Sequence, residues 1–196
     1  MTTPIKLNFK IYQGSTFKEV LRWASSTIVY KPITNITKDA PAIITAVGHG
    51  VPVGWPIKVT NVVGMKEINS DTATLVVSGT TTDTLTINAL NSLSYTTYIS
   101  GGIVSYYEPI NLTGFTARMQ IRSKLEDTVV IHELTTENAG ILIDNVEKTI
   151  KLNITPEVTA LFSFTNAVYS LELASSGGEV TPFASGSITL IKEVTR

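Results

Sequence analysis

The chain has 196 residues, 43% of them hydrophobic and only 16% charged, with a net charge of −1 and no cysteine. This composition excludes general disorder. It also excludes disulfides, thiol nucleophiles and Cys-type zinc sites and, since no stripe of Lys or Arg occurs, a nucleic-acid footprint. The length allows one domain or two small ones. A charge content well below the ~25% of ordinary domains, with Thr, Ser and Asn in its place, suits a protein living inside an assembly and equally a small β-rich protein.

The opening MTTPIKLNFK lacks the basic-then-apolar layout of a signal peptide. No apolar run approaches the ~20 residues of a spanning helix. The expectation is a soluble product without Sec-type export and with no membrane partner. The end segments Met1–Phe9 and Glu193–Arg196 are expected to order only within an assembly.

In FKEVLRW, Phe17, Leu21 and Trp23 fit a strand, although Glu19 breaks the alternation and leaves a helical turn open. From about Ala42 to Tyr107 charges thin out and Gly, Thr and Val take over. Short strands are predicted at Ile43–Val47, Ile57–Val62, Ala73–Val77, Thr84–Ile87 and Gly102–Tyr106, with turns at Gly48–Gly54, Gly64–Asn69, Gly79–Asp83 and Asn91–Thr97. So many short strands in so short a span predict a small barrel or rolled sheet.

After this stretch the period-2 alternation is clean. In FTARMQIR, Phe115, Ala117, Met119 and Ile121 face one way. In TIKLNIT, Ile150, Leu152 and Ile154 do so, and in YSLELAS, Tyr169, Leu171 and Leu173. These patterns predict half-buried antiparallel strands. Thr155-Pro156-Glu157 opens one helical turn or two, with Thr155 as the expected cap. Ser175–Glu179 is a predicted hairpin leading to a last strand near GSITLIKEV. The two flanks together hold about seven strands, the number of a sandwich. The predicted fold is all-β: an Ig-like β-sandwich of residues 1–38 and 108–196, interrupted by an inserted small β-barrel of residues 39–107.

GHGVPVGWPIKVTNVVGMKEIN followed by YTTYISGGIV resembles the small barrel known as the first catalytic-cysteine half-domain of ubiquitin-activating enzymes, a module that recurs in phage proteins. Gly48-His49-Gly50, Gly64-Met65, Ile68-Asn69, Tyr95, Tyr98 and Ser100-Gly101-Gly102 carry the match, over about a third of the chain. Trp55-Pro56 stands where that pattern has Gly-Asp or a polar pair. YQGSTFKEVLRW, NLTGFTARMQIR and SGSITLIKEVTR are similar to small phage structural proteins of tail, neck or fibre-attachment regions.

Chemistry finds little support in the sequence. His49 lies between glycines, where its ring can cap a backbone carbonyl. His132 sits on a strand with Glu133 on the opposite face, the pattern of a solvated residue. Neither has the companions of a metal site, and no G-x-S-x-G elbow occurs. Glu126, Asp127, Asp144, Glu147 and Glu157 are read as solvated turn acids, although convergence of two of them across a cleft is not excluded by sequence. Gly48, His49, Gly50, Gly64, Asn69, Gly101 and Gly102 are assigned to turns, and Tyr95 and Tyr98 are candidate contact residues. The resemblances imply a non-enzymatic structural component of a bacteriophage virion, at the tail, the neck or collar, or a fibre attachment, made in the host cytoplasm. Its partners would be other virion proteins and symmetric copies of itself, with no cofactor, metal or nucleic acid. A capsid decoration protein and a host-surface carbohydrate- or receptor-binding module are the alternatives.

Overall fold

The computed structural model describes residues 3–70 and 74–193 and is all-β. Its first strands are β1 (Ile5–Lys6), β2 (Phe9–Tyr12) and β3 (Phe17–Leu21). There follow β4 (Ala24–Pro32), β5 (Asn35–Ile36), β6 (Ala42–Thr45), β7 (Pro56–Val63), β8 (Leu75–Val76), β9 (Gly79–Thr80), β10 (Thr84–Ile87) and β11 (Ser100–Pro109). The remainder is β12 (Thr116–Arg122), β13 (His132–Thr135), β14 (Ile141–Asp144), β15 (Thr149–Ile154), β16 (Asn166–Ala174) and β17 (Val180–Ile191). The strands form two compact units, one of Met1–Arg22 with Asn111–Arg196 and one of Trp23–Ile110.

The discontinuous unit has two sheets, ordered β1-β17-β16-β12-β13 with β2 also on β17, and β14-β15-β3. Alternation builds them: Ala117, Met119 and Ile121 on β12 and Ala167, Tyr169, Leu171 and Leu173 on β16 are buried on one face, opposite Ile150, Leu152 and Ile154. Phe9 of one sheet meets Phe17 of the other edge-on, ring centroids 5.5 Å apart, and stacks on Tyr169 at 4.9 Å. This is the sandwich. FKEVL is a strand, with Phe17↔Ile154 and Leu21↔Ile150 in register on β15. β1 and β2 lie parallel to β17, with Ile5↔Ala184 and Phe9↔Ile188. The segment from Ile5 to Phe9 is thus already held in the single chain, against expectation. Thr3, Pro4 and Glu193 are in no strand, and Met1, Thr2 and Val194–Arg196, also expected to order in an assembly, lie outside the described residues.

The predicted helical segment is a single turn, Pro156–Ala160. Thr155 does not cap it through its side chain. Its hydroxyl serves the Glu157 carboxylate, which is held below its ordinary range by that bond first and its own backbone N–H second.

The middle unit has two four-stranded sheets, β5-β6-β10-β9 and β4-β11-β7-β8. Among the described residues the expected barrel is not closed: both hydrogen-bonded paths end on edge strands. The chain instead turns from one sheet into the other at two corners. At β4/β5, Ile33 N–H bonds Gly102 C=O and Thr34 N–H bonds Thr45 C=O; at β8/β9, Val77 N–H bonds Trp55 C=O and Ser78 N–H bonds Thr86 C=O. Ile44, Trp55, Ile57, Met65, Leu85, Ile87 and Val104 fill the space between. Trp55, the departure from the half-domain pattern, is 2% exposed and donates its indole N–H to Tyr107 C=O at 2.9 Å.

This unit starts earlier than the expected residue 39. β4 belongs to it because Val29↔Tyr106 and Lys31↔Val104 lie in register along β11. Where the unit is entered and left, Ile110 N–H donates to Trp23 C=O at 3.0 Å. Of the five predicted middle strands, Thr84–Ile87 appears with the same bounds. Ile43–Val47 is Ala42–Thr45, Ile57–Val62 is Pro56–Val63 and Gly102–Tyr106 extends to Ser100–Pro109. Ala73–Val77 reduces to Leu75–Val76, with Ala73 outside the described residues.

Candidate functional site

The residues singled out by pattern converge in the middle unit on two loop closures. The first is the Gly48-His49-Gly50 turn between β6 and β7. Both glycines have positive φ, +59° and +67°, and Gly48 N–H donates to Asp83 Oδ1 at 2.9 Å. His49 is 2% exposed. Its Nδ1 accepts Val51 N–H at 2.9 Å, which fixes the proton on Nε2, and Nε2 lies 3.3 Å from Thr84 C=O. The Thr80 hydroxyl is 3.4 Å from the same nitrogen. The His49 carbonyl accepts the Tyr106 hydroxyl. Burial pushes the imidazole pKa below its ordinary 6.5, against the opposing pull of Thr84 C=O, and burial raises the Tyr106 hydroxyl. A ring with both nitrogens engaged by backbone has no lone pair to offer a substrate proton.

The second closure joins the Gly64–Asn69 turn to the segment before β11. Asn69 Oδ1 accepts Val62 N–H at 2.8 Å and its Nδ2 donates to Val62 C=O at 2.9 Å, so the side-chain amide pairs with β7 as a strand would. Glu67 Oε1 accepts both the backbone N–H and the hydroxyl of Thr96, at 2.8 and 2.9 Å. Bonds from its own backbone N–H and from Thr96 hold this carboxyl below its ordinary value. Gly64, at φ +93°, has no room for a side chain: a Cβ would sit 2.3 Å from Thr97 O and 2.8 Å from Ile99 Cγ1. Gly101 and Gly102, expected in a turn, lie instead within β11, where their φ of +71° and +96° carry the strand past β7.

Tyr95 and Tyr98 are half-buried against the core of this unit. The Tyr98 hydroxyl donates to Gly101 C=O at 2.9 Å and lies 3.1 Å from Ile33 C=O. The two candidate contact residues therefore close the fold with much of their surface.

In the discontinuous unit, His132 is half-buried rather than solvated. Its ring centroid is 5.8 Å from that of Phe162, and burial lowers its pKa. Asp144 and Glu147 flank Lys151, with Oδ2 and Oε2 at 3.9 and 2.8 Å from Nζ. Among the described residues no group of three or more His, Cys, Asp or Glu is placed to hold a metal ion. No helix among them is long and apolar enough to cross a membrane.

Tyr106, which by sequence groups with Tyr95, Tyr98 and Tyr107 as a possible surface stripe, is buried instead and with Asp83 locks the histidine turn. Sequence reasoning missed the role of Asp83, and it missed Ser92, which is fully buried and joins Thr37 and Asp39 through its hydroxyl. The pairing of Val104 with Tyr106 two positions on was the available signal for an inward Tyr106 and an outward Tyr107. No family model matches the chain, and no curated protein matches it.

Proposed function

We propose that this protein is a non-enzymatic structural component of a bacteriophage virion, at the tail, the neck or collar, or a fibre attachment, present in many symmetric copies. One observation carries the reading. The residues that make the chain distinctive, His49, Gly64, Asn69, Tyr98 and Gly101, are all engaged in closing the fold of the middle unit. Such a pattern specifies a rigid building block. The charge-poor composition fits burial among neighbours, and the resemblance to phage modules supplies the setting. Capsid decoration differs in location alone. Binding of a host glycan has less support, because Tyr95 and Tyr98, its first candidates, pack inward.

The test is mass spectrometry of purified particles, with a copy number against the major capsid protein, followed by localisation in the particle by electron cryomicroscopy. A fixed multiple of the particle symmetry supports the reading. Absence of the chain from intact particles overturns it.

A further inference from the structure

β4 is an edge strand nine residues long. Among the described residues its strand partner is β11 alone. Edge strands are commonly blunted by inward charges, mid-strand proline or covering loops. Here charge enters only at Lys31 and proline only at the last position, Pro32. Ile28 is 42% exposed and Tyr30 64%, and Tyr107, in register beside Ile28, is 54% exposed.

The backbone direction along this edge follows from the ladder. Ile33 N–H bonds Gly102 C=O, and Lys31 and Val29 lie in register with Val104 and Tyr106. Odd-numbered residues here turn their backbone groups toward β11. Ile28 and Tyr30 turn theirs to the open edge, where an added strand can pair all of them.

We propose that β4 pairs antiparallel with β4 of a second copy of this chain about a two-fold axis at Val29. In that register Ile28 faces Tyr30 of the second copy and Tyr30 faces its Ile28, so each copy's open N–H and C=O groups at these two residues are all bonded. Each cross-strand contact joins a β-branched side chain to an aromatic one, a favourable pairing. Val29 meets Val29, and Lys31 meets Thr27, so no like charges oppose each other. A two-fold at Tyr30 is poorer because it sets Pro32, without an N–H, against Ile28 C=O inside the regular ladder, whereas at Val29 Pro32 meets Ser26, beside the ladder irregularity. A two-fold at Ile28 relies on Ser26, beside the ladder irregularity between Tyr107 and Pro109. The contact is isologous and closes on itself, and it merges two four-stranded sheets into one. It stands independently of the virion reading.

The test uses the full chain in sedimentation equilibrium, as wild type, as Ile28→Lys/Tyr30→Lys and as Ile28→Glu/Tyr30→Glu. Both positions are exposed, so folding, checked by circular dichroism, is preserved. The expected result is a wild-type dimer, a dimerisation constant at least roughly tenfold weaker in each charged variant, and recovery on mixing the two. Since the chain has no cysteine, register is read by oxidation. A hydrogen-bonded antiparallel pair sets Cα atoms about 5.5 Å apart, within disulfide range. A mixture of Ile28→Cys and Tyr30→Cys chains is therefore expected to cross-link faster than either alone. A wild-type chain monomeric up to roughly millimolar concentration, a dimer that survives both lysines, or cross-linking no faster in the mixture overturns the proposal.

Discussion

The Asn69 side chain satisfies both backbone groups of Val62, at 2.8 and 2.9 Å, and so replaces a strand neighbour with a single amide. Asn69→Ala leaves both groups without a partner beside a buried side chain. The expected loss is about 1–3 kcal/mol, read as a lower urea midpoint with an unchanged slope. Asn69→Asp keeps the acceptor and loses the donor to Val62 C=O, so its midpoint is expected to fall as well. A wild-type midpoint in the alanine variant would show that the amide is dispensable.

Gly64 and Gly48 make a paired test of backbone and space. Both have positive φ, but a Cβ at Gly64 meets Thr97 O at 2.3 Å while one at Gly48 meets nothing within 4 Å. Gly48→Ala is expected to cost about 1 kcal/mol from φ alone. Gly64→Ala adds the clash and is expected to cost well over about 2 kcal/mol. Equal midpoints for the two variants would contradict the close approach of Thr97.

His49 and His132 both have pKa values depressed below 6.5 by burial. Above that pH both states of the chain are neutral at these rings and stability is complete. As pH falls below it, the unfolded chain binds protons that the folded chain resists, so stability declines until the folded pKa is reached. The urea midpoint is expected to be flat above about pH 7 and to fall toward about pH 5. The double variant His49→Gln/His132→Gln is expected to flatten this interval. Glu67, Glu137, Asp144 and Glu157, all shifted down, add their loss at lower pH. An unchanged slope in the double variant would move the cause elsewhere.

The hydrogen bond from Ile110 N–H to Trp23 C=O brings entry and exit of the middle unit together. Residues 23–110 expressed alone are expected to fold cooperatively. So are residues 1–22 joined to 111–196 by a short Gly/Ser linker. Retention of dispersed amide proton signals in both pieces is the expected observation; a collapsed spectrum from either would mean that the two units depend on each other to fold.

What the sequence revealed follows the physics of burial. β12, β15 and β16 bury one face, so their alternation is written in the residue types. β4 could not be read that way, because ASSTIVYKP is exposed on one face and no more than half-buried on the other, and carries polar residues at both parities. β1 and β2 are held by pairing with a strand far along the chain, a cause that no local window contains. The histidine turn was legible through its glycines. The inward set of Tyr98 was not, since its hydroxyl partners are the backbone carbonyls of Ile33 and Gly101, and any sequence has carbonyls there.

The parallel pairing of β2 with β17 also sets an order of events during synthesis. Asn8 Oδ1 accepts Ser187 N–H across a separation of 179 residues. On the ribosome, β2 emerges long before the strand that will hold it. The middle unit, whose strand pairings among the described residues all lie within Trp23–Ile110, can close while the downstream strands are still being made, at about 5–20 residues per second. Until β17 arrives, Phe9 and Ile11 have no groove to enter, and a nascent-chain chaperone has that interval in which to shield them. An early strand is thus seated late, once the strand that holds it has been made.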